Sequence, residues 1–218
     1  MQTLSEENYL KIIHSLDEHG IKKITLTAIA EALNNNPASV IDMLKKLSDK
    51  KLVRYEKTQG TNLTAKGRAI ALSIIRKHRL WEVFLLEKLG YGWDQIHEIA
   101  EQLEHIQYPD LADRLDNFLG FPQYDPHGDP IPSANGEMIT LNGMGLDEVA
   151  IGKPYKVVGV KDTSHEFLQY LKKLDIGIGA EITVNEKISF DSSIVIRIGK
   201  DTQTSVSKMF SQNLLVHE

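Results

Sequence analysis

Apolar positions recur at helical spacing through the first third of the chain and give way to short alternating runs near its end. Tyr9, Leu10, Ile12, Ile13 and Leu16 share one face of a first helix, which Ser5 is placed to cap and Gly20 to end. Ile29, Ala30 and Leu33 mark a short second helix over about 26–33. In Asn34-Asn35-Asn36-Pro37, Asn36 is a natural N-cap and Pro37 a natural first helical residue, opening a third helix through Val40, Leu44 and Leu47. Two strand-like runs, 52–57 and 60–63, flank a Lys-Thr-Gln-Gly turn. Thr64 then caps a long helix that carries Ile70, Ile74, Ile75, Leu80, Phe84 and Leu85 to about Leu89. Short helix, polar turn, second helix and hairpin are the proportions of a winged helix-turn-helix.

Beyond Gly90-Tyr91-Gly92-Trp93, Asp94 is placed to cap a further helix holding His97, Glu101, Glu104 and His105. Tyr124 to Gly136 is rich in Pro, Gly and Asp and reads as a linker, within which Pro126 to Pro132 is expected to be a rigid proline turn without chemistry of its own. The remainder alternates: strand-like runs at 154–160, 181–186, 193–198 and 214–216, with a helix at about 164–174. The pattern predicts a mainly α chain with a β C-terminal domain, divided as 1–73, 74–140 and 141–218.

Composition narrows the chemistry. At 218 residues the chain can hold two or three small domains, and with no cysteine it has no disulfide, zinc ribbon or thiolate nucleophile. The polar, acidic start and the lack of a long apolar run lead to the expectation of a soluble, cytoplasmic protein with no membrane partner. The net charge of −5 conceals a split. Residues 1–80 hold 14 Lys and Arg against 8 Asp and Glu, a net of +6, and the rest holds 11 against 22, a net of −11. A basic first third can approach phosphates while an acidic remainder can collect cations.

On the third helix the apolar set leaves Ala38, Ser39, Asp42, Lys45 and Lys46 on the open face. Ala38 and Ser39, with Asn36 and Pro37 at the helix start, are placed against base edges, and Asp42 could accept from a cytosine amino group. Lys45, Lys46 and the wing residue Lys57 suit phosphates.

His78 and Glu82 lie four apart on the long helix, the spacing that lets two side chains share one ion. His97, Glu101, Glu104 and His105 form a second stripe, and two helices packed as a hairpin would bring the sets together. Imidazole with carboxylate and no thiolate admits Mn2+, Fe2+ and Zn2+. Two enzyme classes use similar ligands, but the His-Glu-x-x-His of a zincin is absent and no histidine has Glu three residues before it, as a di-iron oxidase requires.

These residues fall into a known arrangement. Asn36-Pro37-Ala38-Ser39-Val40, Tyr55-Glu56-Lys57-x-x-Gly60 with Leu63-Thr64-x-x-Gly67, Arg76-Lys77-His78-Arg79-Leu80, Glu104-His105 and Pro126-His127-Gly128-Asp129-Pro130-Ile131-Pro132 resemble, in order, the diphtheria toxin repressor and manganese transport regulator family. The resemblance implies a winged helix-turn-helix DNA-binding domain, a helical metal-binding and dimerisation domain, and an SH3-like (FeoA-like) C-terminal domain. It matches His78, Glu82 and His97 to an ancillary metal site, and Glu101, Glu104 and His105 to the primary, activating one. The remaining primary ligand, Met or Asp in the family, falls on Asn8, which offers a neutral carbonyl oxygen. At Glu101 the iron-responsive branch has Cys and the manganese-responsive branch Glu, so the resemblance favours Mn2+, with Fe2+ the alternative and Zn2+, Co2+ or Ni2+ able to substitute in vitro. Lys11 stands where the manganese branch places a second first-helix carboxylate, so a binuclear geometry does not transfer. Asp162, His165 and Glu166 fall where the C-terminal domain lends polar ligands to the ancillary site.

The function implied is a homodimeric, metal-activated repressor of metal-uptake genes that binds a palindromic operator, has no small organic substrate and is not an enzyme. Metal joining Asn8 to Glu101, Glu104 and His105 would fix the recognition helices, and sensing should weaken in acid as the histidines protonate. Two other readings use the same residues: a metal-binding winged-helix interaction protein without operator recognition, and a metal-dependent hydrolase, for which no base is identifiable.

Overall fold

The computed structural model describes residues 2–18, 20–56, 58–139, 143–199 and 202–218. They form two compact units. The first comprises Met1–His78, Glu101–Leu115 and Pro132–Glu137, and the second Arg79–Ala100, Asp116–Ile131 and Met138–Glu218.

In the first unit α1 (Leu4–Glu18), α2 (Leu26–Ala32) and α3 (Pro37–Asp49) precede the hairpin β1 (Val53–Glu56) and β2 (Gly60–Leu63). The cap of α1 is Thr3, not Ser5. Thr3 Oγ1 accepts from Glu6 N at 3.3 Å while Glu6 Oε2 accepts from Thr3 N at 3.1 Å, a capping box that begins the helix one residue before Ser5. Asn36 caps α3 as its sequence requires, accepting from Ala38 N at 2.8 Å with Pro37 in the first turn. The turn between α2 and α3 passes through Asn34 at φ 47°, a left-handed conformation that Asn tolerates. Tyr9, Leu10 and Ile13 of α1 close over Ile29, Val40, Leu44 and Leu47 to make the core.

Thr64 starts α4 (Ala65–Glu87) by accepting from Gly67 N at 3.1 Å. A Cβ at Gly67 would overlap the Leu52 carbonyl oxygen, so glycine lets α4 sit directly on the chain that leads into the wing. Two shorter helices follow, α5 (Ile96–Leu103) and α6 (Leu111–Leu119). Asp94 does not cap α5: the helix begins two residues later and the Asp94 carboxylate accepts from Lys172 Nζ at 3.1 Å. The α6 helix was not expected from the sequence, although Leu111, Ala112, Leu115 and Leu119 give it an inward apolar face at helical spacing.

The second unit contains a six-stranded antiparallel sheet in the order β3-β8-β4-β5-β6-β7. Its strands are β3 (Met144–Gly145), β4 (Pro154–Val160), β5 (Glu181–Lys187), β6 (Ile194–Ile198), β7 (Thr202–Val206) and β8 (Leu214–His217). The helices α7 (His165–Lys173) and α8 (Lys208–Asn213) accompany it. Register shifts at Val157/Gly159 and Val184/Glu186 bend the strands into the SH3-like curl around Tyr155, Val157, Leu168, Ile182, Val184, Ile196 and Phe210. β3, β7 and α8 escaped sequence reading, β7 because Thr-Gln-Thr-Ser-Val shows a single buried apolar side chain.

Candidate metal centres

The first unit gathers a centre from α1, α4 and the end of α5. Glu101 lies in the last turn of α5, but the helix stops at Leu103. Glu104 and His105 therefore occupy the turn beyond it rather than continuing one helical stripe, and this turn aims them back at α1 and α4. Glu104 is fully buried and its Oε2 sits 2.6 Å from His78 Nδ1. Lys11 reaches into the same group from α1, with Nζ 2.8 Å from Glu101 Oε2 and 2.7 Å from Glu104 Oε2.

His105 turns its Nδ1 to Glu7 Oε2 at 2.7 Å, and Glu7 also accepts from Gln107 Nε2 at 2.5 Å. An ionised carboxylate only accepts, so Nδ1 is the nitrogen that donates to Glu7, and Nε2, 3.6 Å from Glu104 Oε1, is the nitrogen that carries the lone pair in the neutral ring. Asn8 Oδ1 and Glu104 Oε1 are both buried and find no hydrogen-bond partner among the described residues. Two orphaned oxygens and a prepared imidazole nitrogen are a donor set that fits a divalent cation. Glu7 is the member that sequence reading missed. Its signal was the apolar spacing of α1, which turns Glu7 inward with Tyr9 and Leu10.

The second unit builds another cluster on Glu82 of α4, which is 1% exposed. His97 Nδ1 lies 3.1 Å from Glu82 Oε1, and His127 Nδ1 lies 3.6 Å from Glu82 Oε2. Glu82, Asp125 and His127 each bring a ligand atom within 4.8 Å of the others, and all three are buried. Within the first unit His78 faces Glu104, and within the second Glu82 faces His97 and His127.

The proline-rich segment is more than the inert turn its composition suggested. Asp125 Oδ1 accepts from His127 N at 2.8 Å and Asp129 N at 2.9 Å, folding the loop around its own carboxylate. Trp93 stacks on the His127 ring at 5.5 Å and donates its indole N–H to Pro126 O at 2.8 Å. Gly128, at φ 88°, lies so close to the Val158 carbonyl that no side chain fits, and Val160 N donates to His127 O at 3.1 Å. His127 Nε2 has no partner among the described residues.

Burial, with the charges of Glu82 and Asp129, pushes the Asp125 carboxyl up to about 8. Burial works against the His127 cation, but the Glu82 and Asp125 carboxylates outweigh it and raise its pKa. Asp162, His165 and Glu166 are placed at the start of α7. Asp162 Oδ1 accepts from Ser164 N at 2.8 Å, His165 Nδ1 faces Asp94 O at 3.1 Å, and Glu166 is exposed.

The expected DNA-reading residues Asn36, Pro37, Ala38, Ser39, Asp42, Lys45 and Lys46 are all exposed along α3. Lys45 lies 3.7 Å from Asp42, and Lys46 lies 3.0 Å from the buried Glu6, whose carboxylate also binds Lys50 at 2.7 Å. Lys57 lies outside the described residues.

Family models cover almost the whole chain. An iron dependent repressor N-terminal DNA binding domain matches residues 1–61, an iron dependent repressor metal binding and dimerisation domain 64–133, and a FeoA domain 144–218. The iron-dependent repressor IdeR of Mycobacterium leprae is 30% identical over 207 residues, 87% of each chain. The chain belongs to the diphtheria toxin repressor and manganese transport regulator family. Its family relatives include the HTH-type transcriptional regulator MntR of Oceanobacillus iheyensis, 36% identical over 122 residues, 56% of this chain and 81% of that one. A solved manganese-dependent transcriptional repressor in complex with manganese has a TM-score of 0.87 at 32% identity, covering 97% of this chain and 98% of the other. ScaR with bound Zn2+ has a TM-score of 0.81 at 30% identity, covering 98% and 99%. As a member of this family the chain is a metal-dependent, DNA-binding transcriptional repressor that works with a divalent cation and as a homodimer. The family is one of transcriptional regulators. Among the described residues no helix is long and apolar enough to cross a membrane.

Proposed function

We propose that this repressor responds to Mn2+ and silences metal-uptake genes in the cytoplasm, without catalysis. The observation that carries the choice of ion is the donor set: Glu101, Glu104, His105 and the Asn8 carbonyl in one unit, Glu82, Asp125 and His127 in the other, with no thiolate anywhere in the chain. Hard oxygen donors with one imidazole each suit Mn2+ better than softer ions.

When bound, the cation supplies a strong positive charge that draws these donors together. The chain does the rest. Asn8, Glu7 and Lys11 all project from α1, so completing the first centre draws α1 towards Glu101, Glu104 and His105. α1 is in turn fixed to α3 by the shared core and by Glu6 with Lys46 and Lys50. A shift of α1 is thereby passed to the helix that faces DNA, where Asn36 to Ser39 read base edges and Lys45 and Lys46 meet phosphates, with the wing residue Lys57 expected to add a further phosphate contact. In the second unit Leu89, Phe118 and Phe121 are more than half exposed, apolar side chains that a homodimer contact would cover.

The test is a titration of metal-free protein with Mn2+, anaerobic Fe2+ and Zn2+ while following selection from a pool of random duplexes. Enrichment of a palindrome at the lowest free Mn2+, lost in Glu104→Ala/His105→Ala, is the expected result. A lower threshold for Fe2+ would overturn the choice of ion.

A further inference from the structure

Lys11 is the one member of the first centre whose charge has the sign of a metal rather than of a ligand. Its side chain is 17% exposed, and its Nζ sits 2.8 Å from Glu101 Oε2, 2.7 Å from Glu104 Oε2 and 3.4 Å from His78 Nδ1. That is the surrounding of a bound cation: two carboxylates and an imidazole about one ammonium. We propose that Lys11 is a tethered cation that fills one of two cation positions in this centre, limiting it to a single divalent ion and holding α1 in place when metal is scarce. The inference rests on the reading of this centre as a metal site.

Charge decides the stoichiometry. Among the groups in direct contact, Glu7, Glu101 and Glu104 contribute three negative charges and Lys11 offsets one, while Lys77 acts on Glu7 and Glu104 without a hydrogen bond to either. One divalent ion then brings these contacting groups to neutrality, whereas two would leave an excess of two positive charges, to which Lys77 adds, beside a carboxylate that is fully buried. Lys11→Glu removes one positive charge and adds one negative, so the four carboxylates balance two divalent ions. Lys11→Met removes the ammonium alone, so a single ion meets less repulsion.

The tether has a second consequence. Lys11 already joins α1 to Glu101 and Glu104, the same two carboxylates that the metal uses. The metal-free chain therefore keeps part of the bridge that metal completes, and metal adds to an arrangement already favoured.

The experiment counts Mn2+ by equilibrium dialysis and records electron paramagnetic resonance on three proteins, each carrying His97→Ala/Asp125→Ala/His127→Ala to remove the other cluster. One ion per protomer is expected with Lys11, one ion bound at least about tenfold more tightly with Lys11→Met, and two ions with a spin-coupled signal with Lys11→Glu. Two ions in the Lys11 protein, or one uncoupled ion in a folded Lys11→Glu, would overturn the proposal while leaving the centre a metal site. No Mn2+ in any of the three would instead remove the reading on which it rests. Hydrogen exchange of α1 in the metal-free protein gives a readout independent of metal, expected several-fold faster for Lys11→Met, and unchanged exchange would contradict the tether.

Discussion

A buried histidine can present either nitrogen to a metal, and His105 is committed by Glu7. With Nδ1 donating to that carboxylate, Nε2 is the only nitrogen left to bind. Glu7→Gln keeps the shape but can turn its amide N–H towards the ring, so Mn2+ affinity of the first centre should fall about 10- to 100-fold, measured by titration in a background lacking His97, Asp125 and His127. Unchanged affinity would mean that Glu7 only fills space. The family pattern pointed to Asn8 and not to Glu7, since Glu6-Glu7-Asn8 reads as a solvated acidic start although Glu6 and Glu7 are both buried. Asp125 and His127 were hidden for a different reason. Proline and glycine around them signal a turn, and only the folded loop shows that the turn delivers both side chains to Glu82.

In the proposed mechanism α1 is the element that carries the signal from the first centre towards DNA. Glu6 fixes it to α3: burial raises the carboxyl, but the hydrogen bonds from Lys50 and Lys46 more than offset that and bring it down to about 2. The unfolded carboxyl titrates near 4.5, so the folded state gains stability that is fully present above that pH and is lost as pH falls from about 4.5 through 2. Glu6→Gln should lower stability by about 1–3 kcal/mol at pH 7 and flatten the dependence between these values, as urea melts at several pH values would read. An equal slope in both proteins would place the acid sensitivity elsewhere. Gly67→Ala tests the other joint, where added volume meets the Leu52 carbonyl, with an expected loss of about 1–3 kcal/mol. The helices of the DNA-binding part were readable because period, caps and Pro37 agree. The short β3 and α8 and the largely polar β7 were not, because their own sequences supply too little periodic apolar surface to mark them, whereas α6 carries its pattern in Leu111, Ala112, Leu115 and Leu119 and was passed over.

For the whole molecule the question is whether completing the centres and binding the operator are one equilibrium. A cation shifts the chain towards the DNA-competent form only by its difference in affinity for the two forms, and the operator must then tighten the metal by the same factor. The homodimer sets the spacing of the two α3 helices, and Phe118→Asp should separate the protomers and abolish operator binding while each protomer still takes up metal, as sedimentation and dialysis would show. The basic first 80 residues predict that operator affinity falls steeply with salt, whereas metal binding to the buried centres does not. The measurement that tests the account most directly is the Mn2+ affinity of the first centre with and without operator duplex, beside Glu104→Ala. The expected result is tighter Mn2+ on the operator complex, by the same factor by which Mn2+ tightens the operator, and no such coupling in the variant. Equal Mn2+ affinity with and without DNA would contradict the account.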